Sequence, residues 1–179
     1  MGAVSTTFVA GTLLIRKGLA PPTGSLAEMG TVRLGKRNEG RTPLIKEFVP
    51  LASLDDLVFG AWDIFEDNGY EAAMTAGVIE PSMLEQVRPE LEAIKPWPAV
   101  FDQRYVKRLM GTNVKTGANK LEIAEQVGAD ICAFKEANGL DRLVMIWCGS
   151  TEIFMTPTPA HDSIEAFEQA LESNAADIP

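Results

Sequence analysis

From Leu143 to Gly149 the chain reads Leu-Val-Met-Ile-Trp-Cys-Gly, seven residues that are apolar or small with no polar residue between them. A strand with one face in water alternates polar and apolar side chains, whereas a run without alternation suits a strand covered on both faces inside a mostly parallel sheet. Such a sheet needs helices on its faces and crossover connections between its strands, so this one run argues for an α/β fold. Gly149, Ser150, Thr151 and Glu152 close the run. In open α/β folds the ligand lies outside the carboxyl ends of the strands, which makes these four residues a candidate site. A strand running into a surface loop is the plainer reading of the same residues.

The segments around that run supply the helices. Asn119 to Asn138 is predicted helical, with Leu121, Ala124, Val127, Ile131 and Phe134 as its buried stripe, Glu122, Glu125, Asp130, Lys135 and Glu136 facing water, and Gly139 as the C-terminal stop. Thr6 to Lys17 is a second helix, carried by Phe8, Val9, Leu13 and Leu14 and stopped by Lys17 and Gly18. Tyr70 to Ala76, Pro81 to Ala93 and Asp162 to Glu172 are predicted to be further helices. Short strands are expected at Thr31 to Leu34, Leu57 to Phe59 and Ala99 to Phe101, with a turn at Lys95 to Pro98. Leu57, Val58 and Phe59 lead through Gly60 and Ala61 to Asp63, a carboxylate at a strand end. It can accept hydrogen bonds from a nucleotide ribose or cap the helix that follows.

Composition narrows the partners. With 179 residues, 46% of them hydrophobic, and no internal repeat, one globular unit is expected. A net charge of −9 opposes general attraction to nucleic acid or anionic membrane. The loop carrying Arg33, Lys36, Arg37, Arg41 and Lys46 is either solvated surface or a contact for a phosphate or a neighbouring subunit. Cys132 and Cys148 are expected as reduced thiols in the core. No cysteine pair has metal-ligand spacing, and the one histidine, His161, is expected at an exposed helix start, so no metal site is predicted. No apolar run is long enough for a membrane span. Phe8 to Ile15 lacks a basic flank before it and leads into Arg16 and Lys17, so a cytoplasmic location is expected.

Several strings, in order, resemble the cofactor-binding half of the myo-inositol-1-phosphate synthase (inositol-3-phosphate synthase) family. They are G-A-V-S-T-T-F-V-A-G from Gly2, G-S-L-A-E-M-G-T-V-R-L-G from Gly24, F-G-A-W-D-I from Phe59, I-K-P-W-P from Ile94 and F-K-E-A-N-G-L-D-R-L-V-M-I-W-C-G-S-T-E from Phe134. The resemblance covers nearly the whole chain. It implies a Rossmann-like NAD-binding domain with a mostly parallel sheet, and conversion of D-glucose 6-phosphate to 1D-myo-inositol 3-phosphate by oxidation, enolisation, intramolecular aldol closure and re-reduction. It also implies a homo-tetramer, with a second domain supplying most of the catalytic pocket.

Carried over position by position, the resemblance makes Gly2, Ala3 and Val4 similar to the end of the glycine-rich pyrophosphate turn. Ser5 and Thr6 would open the helix whose positive end faces the phosphates. Asp63 resembles the carboxylate at the adenosine ribose, Gly149, Ser150 and Thr151 the loop beside NAD, and Glu152 an acidic organiser of that loop. The family's opening strand and leading glycines would precede Met1, and its catalytic lysines would follow Pro179. Residues 1–179 are therefore expected to be an incomplete NAD-binding domain, inactive alone and with no residue assigned a catalytic role. Two other readings are the corresponding half of a different NAD-dependent oxidoreductase and a non-catalytic nucleotide-binding remnant.

Overall fold

In the computed structural model, residues 1–176 and 178 are described. Helix α1 spans Ala3–Arg16, and of its five buried residues Thr6, Ala10, Leu13 and Leu14 fall three and four apart on one helical face, with Thr12 beside them. Gly18 follows at φ +69°, donating to Ile15 O at 2.9 Å, while Leu19 donates to Leu14 O at 2.9 Å. That bonding is a Schellman stop, which glycine enters without the cost of a Cβ.

α2 (Leu26–Met29) follows, capped by Ser25. Thr31 then bridges antiparallel to Leu44, and the Val32 and Leu34 amides bond Pro43 O and Arg41 O. The expected short strand is thus one arm of a narrow antiparallel ladder. The basic residues Arg33, Lys36, Arg37, Arg41 and Lys46 lie along its arms, in its turn and just beyond it, all of them exposed, with Lys46 paired to Glu28 at 3.0 Å.

The parallel pairing lies further on. β1 (Trp62–Asp63) pairs with β2 (Trp97–Pro98), Trp62 opposite Trp97 and Asp63 opposite Pro98. Between them run α3 (Gly69–Ala76), α4 (Pro81–Glu85) and α5 (Arg88–Glu92), so strand, helices and parallel strand form one crossover unit of the α/β kind. Ala99 adds a parallel bridge to Val114. α6 (Lys120–Ala137) and α7 (Ile164–Glu172) complete the helices. α6 starts at Asn119, whose side chain accepts from Glu122 N at 2.9 Å, and ends at Gly139 with φ +60°, as the sequence predicts.

The core is helical. Ala10, Leu13 and Leu14 of α1 pack with Ala73 of α3, Leu84 of α4, Val87, and Leu91 of α5. Leu84, Val87 and Leu91 are at most 1% exposed, and full burial of such a side chain contributes roughly 1.5–3 kcal/mol. Arg16 closes the cluster from outside, donating from Nε to Leu54 O at 2.5 Å and from Nη2 to Leu57 O.

Several expectations are corrected: the turn expected at Lys95 to Pro98 contains β2, and of the strand expected at Ala99 to Phe101 only Ala99 pairs, in a single bridge. Leu143 to Cys148 is not a strand: Val144 is 82% and Trp147 77% exposed. Among the described residues no backbone bond joins 143–150 to another segment. An apolar run becomes a strand only where a neighbour completes its ladder, and here the regular pairing stops at β1 and β2. Leu57 to Phe59 is not a strand either, because Leu57 O is held by Arg16 and the Phe59 ring packs edge-on against Phe8 at 5.9 Å. The helix expected over Pro81 to Ala93 is two, divided at Val87 (φ −123°, ψ 15°). Pro89 lacks an N–H, and its ring opposes the carbonyl four residues back. Both cysteines are free, as expected, but exposed rather than in the core.

Candidate functional site

Gly2 stands at the N-cap of α1 with no side-chain cap bond. The hydroxyls of Ser5 and Thr6 turn back to donate to Gly2 O at 3.0 and 2.9 Å, so they do not serve the first amides of the helix. The opening turn at Ala3 and Val4 therefore presents N–H groups and the positive end of the helix dipole without a side-chain acceptor. Two spaces adjoin this turn. A cavity of about 50 Å³, lined by Met1, Ser5, Thr6, Gly60, Ala61 and Leu91 among others, is small and mostly apolar. A shallow depression, widely open to solvent, is formed by Ala3, Val4, Thr7, Phe8 and Val78.

Asp63 is brought to the same place. Its Oδ2 pairs with the Met1 ammonium group, its Oδ1 accepts from Phe65 N at 3.0 Å, and its carbonyl accepts from Asn113 Nδ2 at 2.9 Å. The helix-capping alternative is excluded, because Asn68 caps α3, accepting from Tyr70 N and Glu71 N at 3.0 and 3.1 Å. Asn68 with Glu71 is a capping box that the sequence carries openly. Burial of the Met1 amine is the largest influence on it and lowers its pKa, while the Cys148 thiol and the Asp67 carboxylate act in the raising sense.

The predicted loop follows Cys148. Gly149, Ser150, Thr151 and Glu152 are all exposed. A Cβ on Gly149 would collide with the Trp147 indole nitrogen and would stand 2.6 Å from Glu152 Oε2. Glu152 therefore folds back over Gly149. Of the residues singled out from the sequence, Met1's neighbours Gly2 to Thr6 converge with Asp63, whereas among the described residues no backbone hydrogen bond ties Gly149, Ser150, Thr151 or Glu152 to them. His161 lies apart, exposed, with Nδ1 accepting from Thr158 N at 3.1 Å.

Sequence reasoning missed the support beneath Asp63. Trp62 Nε1 donates to Asp130 Oδ2 at 2.7 Å, and Lys115 Nζ pairs with the same oxygen at 2.7 Å. The Lys115 side chain is only 7% exposed. Trp62 packs on Trp97 at 5.3 Å and Trp97 on Phe134 at 5.4 Å, with Gly60 pressed against the Trp97 ring. The signal was present: Asp130 lies three residues after Val127 and four before Phe134, on the inward phase of α6 despite its charge.

An uncapped helix start facing a carboxylate fits the phosphate and ribose ends of a dinucleotide. The profile of the family described as Myo-inositol-1-phosphate synthase, an NAD-binding family, matches residues 1–179. Inositol-3-phosphate synthase 1 of Bacteroides thetaiotaomicron is 48% identical over 177 residues, covering 99% of this chain and 41% of that protein. Inositol-3-phosphate synthase of Mesembryanthemum crystallinum is 31% identical over 192 residues, covering 99% and 37%. The crystal structure of inositol-3-phosphate synthase from Caenorhabditis elegans superposes with a TM-score of 0.87 at 26% identity, covering 99% of this chain and 38% of that one. The chain thus spans about two fifths of the length of these relatives.

Proposed function

The chain belongs to the myo-inositol-1-phosphate synthase family, and from that premise we propose that it is the NAD-binding part of an inositol-3-phosphate synthase. The reading is carried by one observation: the uncapped start of α1 lies beside Asp63, whose carboxylate pairs with the Met1 ammonium group. In this reading the amides of Ala3 and Val4, with the helix dipole behind them, bind the pyrophosphate, and the short hydroxyls of Ser5 and Thr6 leave the approach open. The Asp63 carboxylate accepts hydrogen bonds from the adenosine ribose in place of the Met1 ammonium. Gly149, Ser150 and Thr151 line the cofactor from the other side, where residues without bulk let a ligand come close to the backbone. Glu152 holds that loop by folding over Gly149.

When bound, NAD accepts a hydride from the substrate and returns it, so the overall conversion is an isomerisation. The substrate in this proposal is D-glucose 6-phosphate, the product 1D-myo-inositol 3-phosphate, and the working assembly a cytoplasmic homo-tetramer. Enolisation and aldol closure require a proton carrier and a group that stabilises developing negative charge. No residue of 1–179 is assigned either task, so these residues by themselves are proposed to bind cofactor without turnover.

Titration of the purified chain with NAD, followed by calorimetry, tests the proposal. Saturable one-to-one binding is expected, weakened about tenfold in Asp63→Asn, the loss of one charge-assisted contact. A chain that unfolds cooperatively yet takes up no NAD overturns it.

A further inference from the structure

Asp63 is held in place by its neighbours more than by its own strand, since β1 has only Trp62 and Asp63. Successive side chains on a strand point to opposite faces. Accordingly Trp62 reaches α6, where Asp130 accepts its indole N–H at 2.7 Å, while Asp63 pairs with Met1. The same Asp130 oxygen receives Lys115 Nζ at 2.7 Å. Lys115 stands two residues after Asn113, which donates from Nδ2 to Asp63 O at 2.9 Å and from its amide to Ile64 O at 2.9 Å. Lys115 N also donates to Ala99 O at 2.9 Å, fixing that segment beside β2. One carboxylate therefore ties together the two segments that grip Asp63, from the residue before it and from across the ladder.

We propose that Asp130 is a positioning residue for Asp63, which sets the carboxylate against the adenosine ribose and thereby selects NAD over NADP. The proposal rests on the NAD-binding reading above. A carboxylate held at the ribose accepts from the 2′-hydroxyl and repels a 2′-phosphate. Losing the Asp130 contacts frees Trp62 and Lys115 together, so Asp63 is no longer held at one distance from the sugar. Binding of NAD then weakens while the repulsion of NADP relaxes. A residue that served only to hold α6 in the fold would weaken both nucleotides in the same proportion.

The test measures the dissociation constants of NAD and NADP for the full chain and for Asp130→Asn, Trp62→Phe, Asp63→Asn and Glu125→Gln. Asp130→Asn is isosteric, and Trp62→Phe keeps the ring while removing the donor. Glu125→Gln deletes an equal charge from an exposed position of the same helix. The expected result is an NAD affinity about tenfold weaker in Asp130→Asn, with the NAD-over-NADP preference falling toward that of Asp63→Asn. Trp62→Phe moves in the same direction by less, and Glu125→Gln matches the unaltered chain. An unchanged preference in Asp130→Asn, whether both affinities hold or both fall equally, overturns the proposal. Should that variant lack a cooperative unfolding transition, Trp62→Phe, which retains the Lys115–Asp130 pair, decides by the same criterion. An unaltered chain that binds neither nucleotide overturns the cofactor reading and this inference with it.

Discussion

Lys17 ends α1 and reaches the two helices beyond it, donating from Nζ to Gln86 O at 2.6 Å and pairing with Glu90 Oε1 at 2.5 Å. The hydrogen bond from Lys17 is the largest influence on Glu90 and holds its carboxyl below the usual carboxylate range. Arg104 does the same for Asp102. A carboxyl whose pKa is lower folded than unfolded contributes stability above the unfolded value, and that contribution disappears as the pH falls through the folded value. The melting temperature should therefore fall on acidification below about pH 4. Glu90 is 38% exposed, so solvent screening limits the Lys17 pair to about 0.2–1 kcal/mol at neutral pH. Thermal unfolding of Glu90→Gln should show a small deficit at pH 7 that vanishes in acid; a deficit independent of pH would assign it to packing. At this scale the sequence singles out Asp63, beyond the small pair Gly60 and Ala61 and directly after Trp62, and the structure pairs that carboxylate with Met1. Asp130 was not legible, because its charge was taken for exposure while its helical phase pointed inward.

Among the elements, α1 and α6 were readable because everything that defines a helix is local: the spacing of its apolar residues, its cap and its stop. Gly139 illustrates this. It sits at φ +60°, donating to Glu136 O at 3.1 Å while Leu140 donates to Lys135 O at 3.0 Å, and open space surrounds the position a Cβ would take. Replacement by alanine thus meets no collision and suffers only the left-handed backbone, a loss of about 1 kcal/mol. Urea unfolding should show a lower midpoint with an unchanged slope, and Gly139→Asn should lose less. Equal losses would mean that the turn rearranges. Strands were legible only in part, since their existence depends on a partner far along the chain. Trp62 and Trp97 pair although the sequence placed Trp97 in a turn, and Leu143 to Cys148 does not pair although its composition is the more strand-like. Pro89 marks the α4–α5 break, but the apolar spacing continues through it and reads as one helix.

Across the whole molecule, burial is uneven. The fully packed cluster lies among α1, α3, α4 and α5, whereas α6 has no buried residue and its expected stripe is at best half-buried. Near the proposed site, Val144, Ile146, Trp147 and Phe154 are 82%, 62%, 77% and 90% exposed. An uncharged run of β-prone residues with its backbone unpaired is a template for joining another chain, and aligned copies of Leu143 to Cys148 would bring no like charges together. The chain should therefore self-associate as its concentration rises. Val144→Lys with Trp147→Lys would place a repelling charge on each copy, at positions exposed enough that folding stability should change by no more than about 0.5 kcal/mol apiece. Light scattering across a concentration series should fall markedly in the double variant at an unchanged melting temperature. If scattering persists, association must proceed through another surface, and the open depression beside Val4 and Phe8, 70% and 50% exposed, becomes the one to charge next.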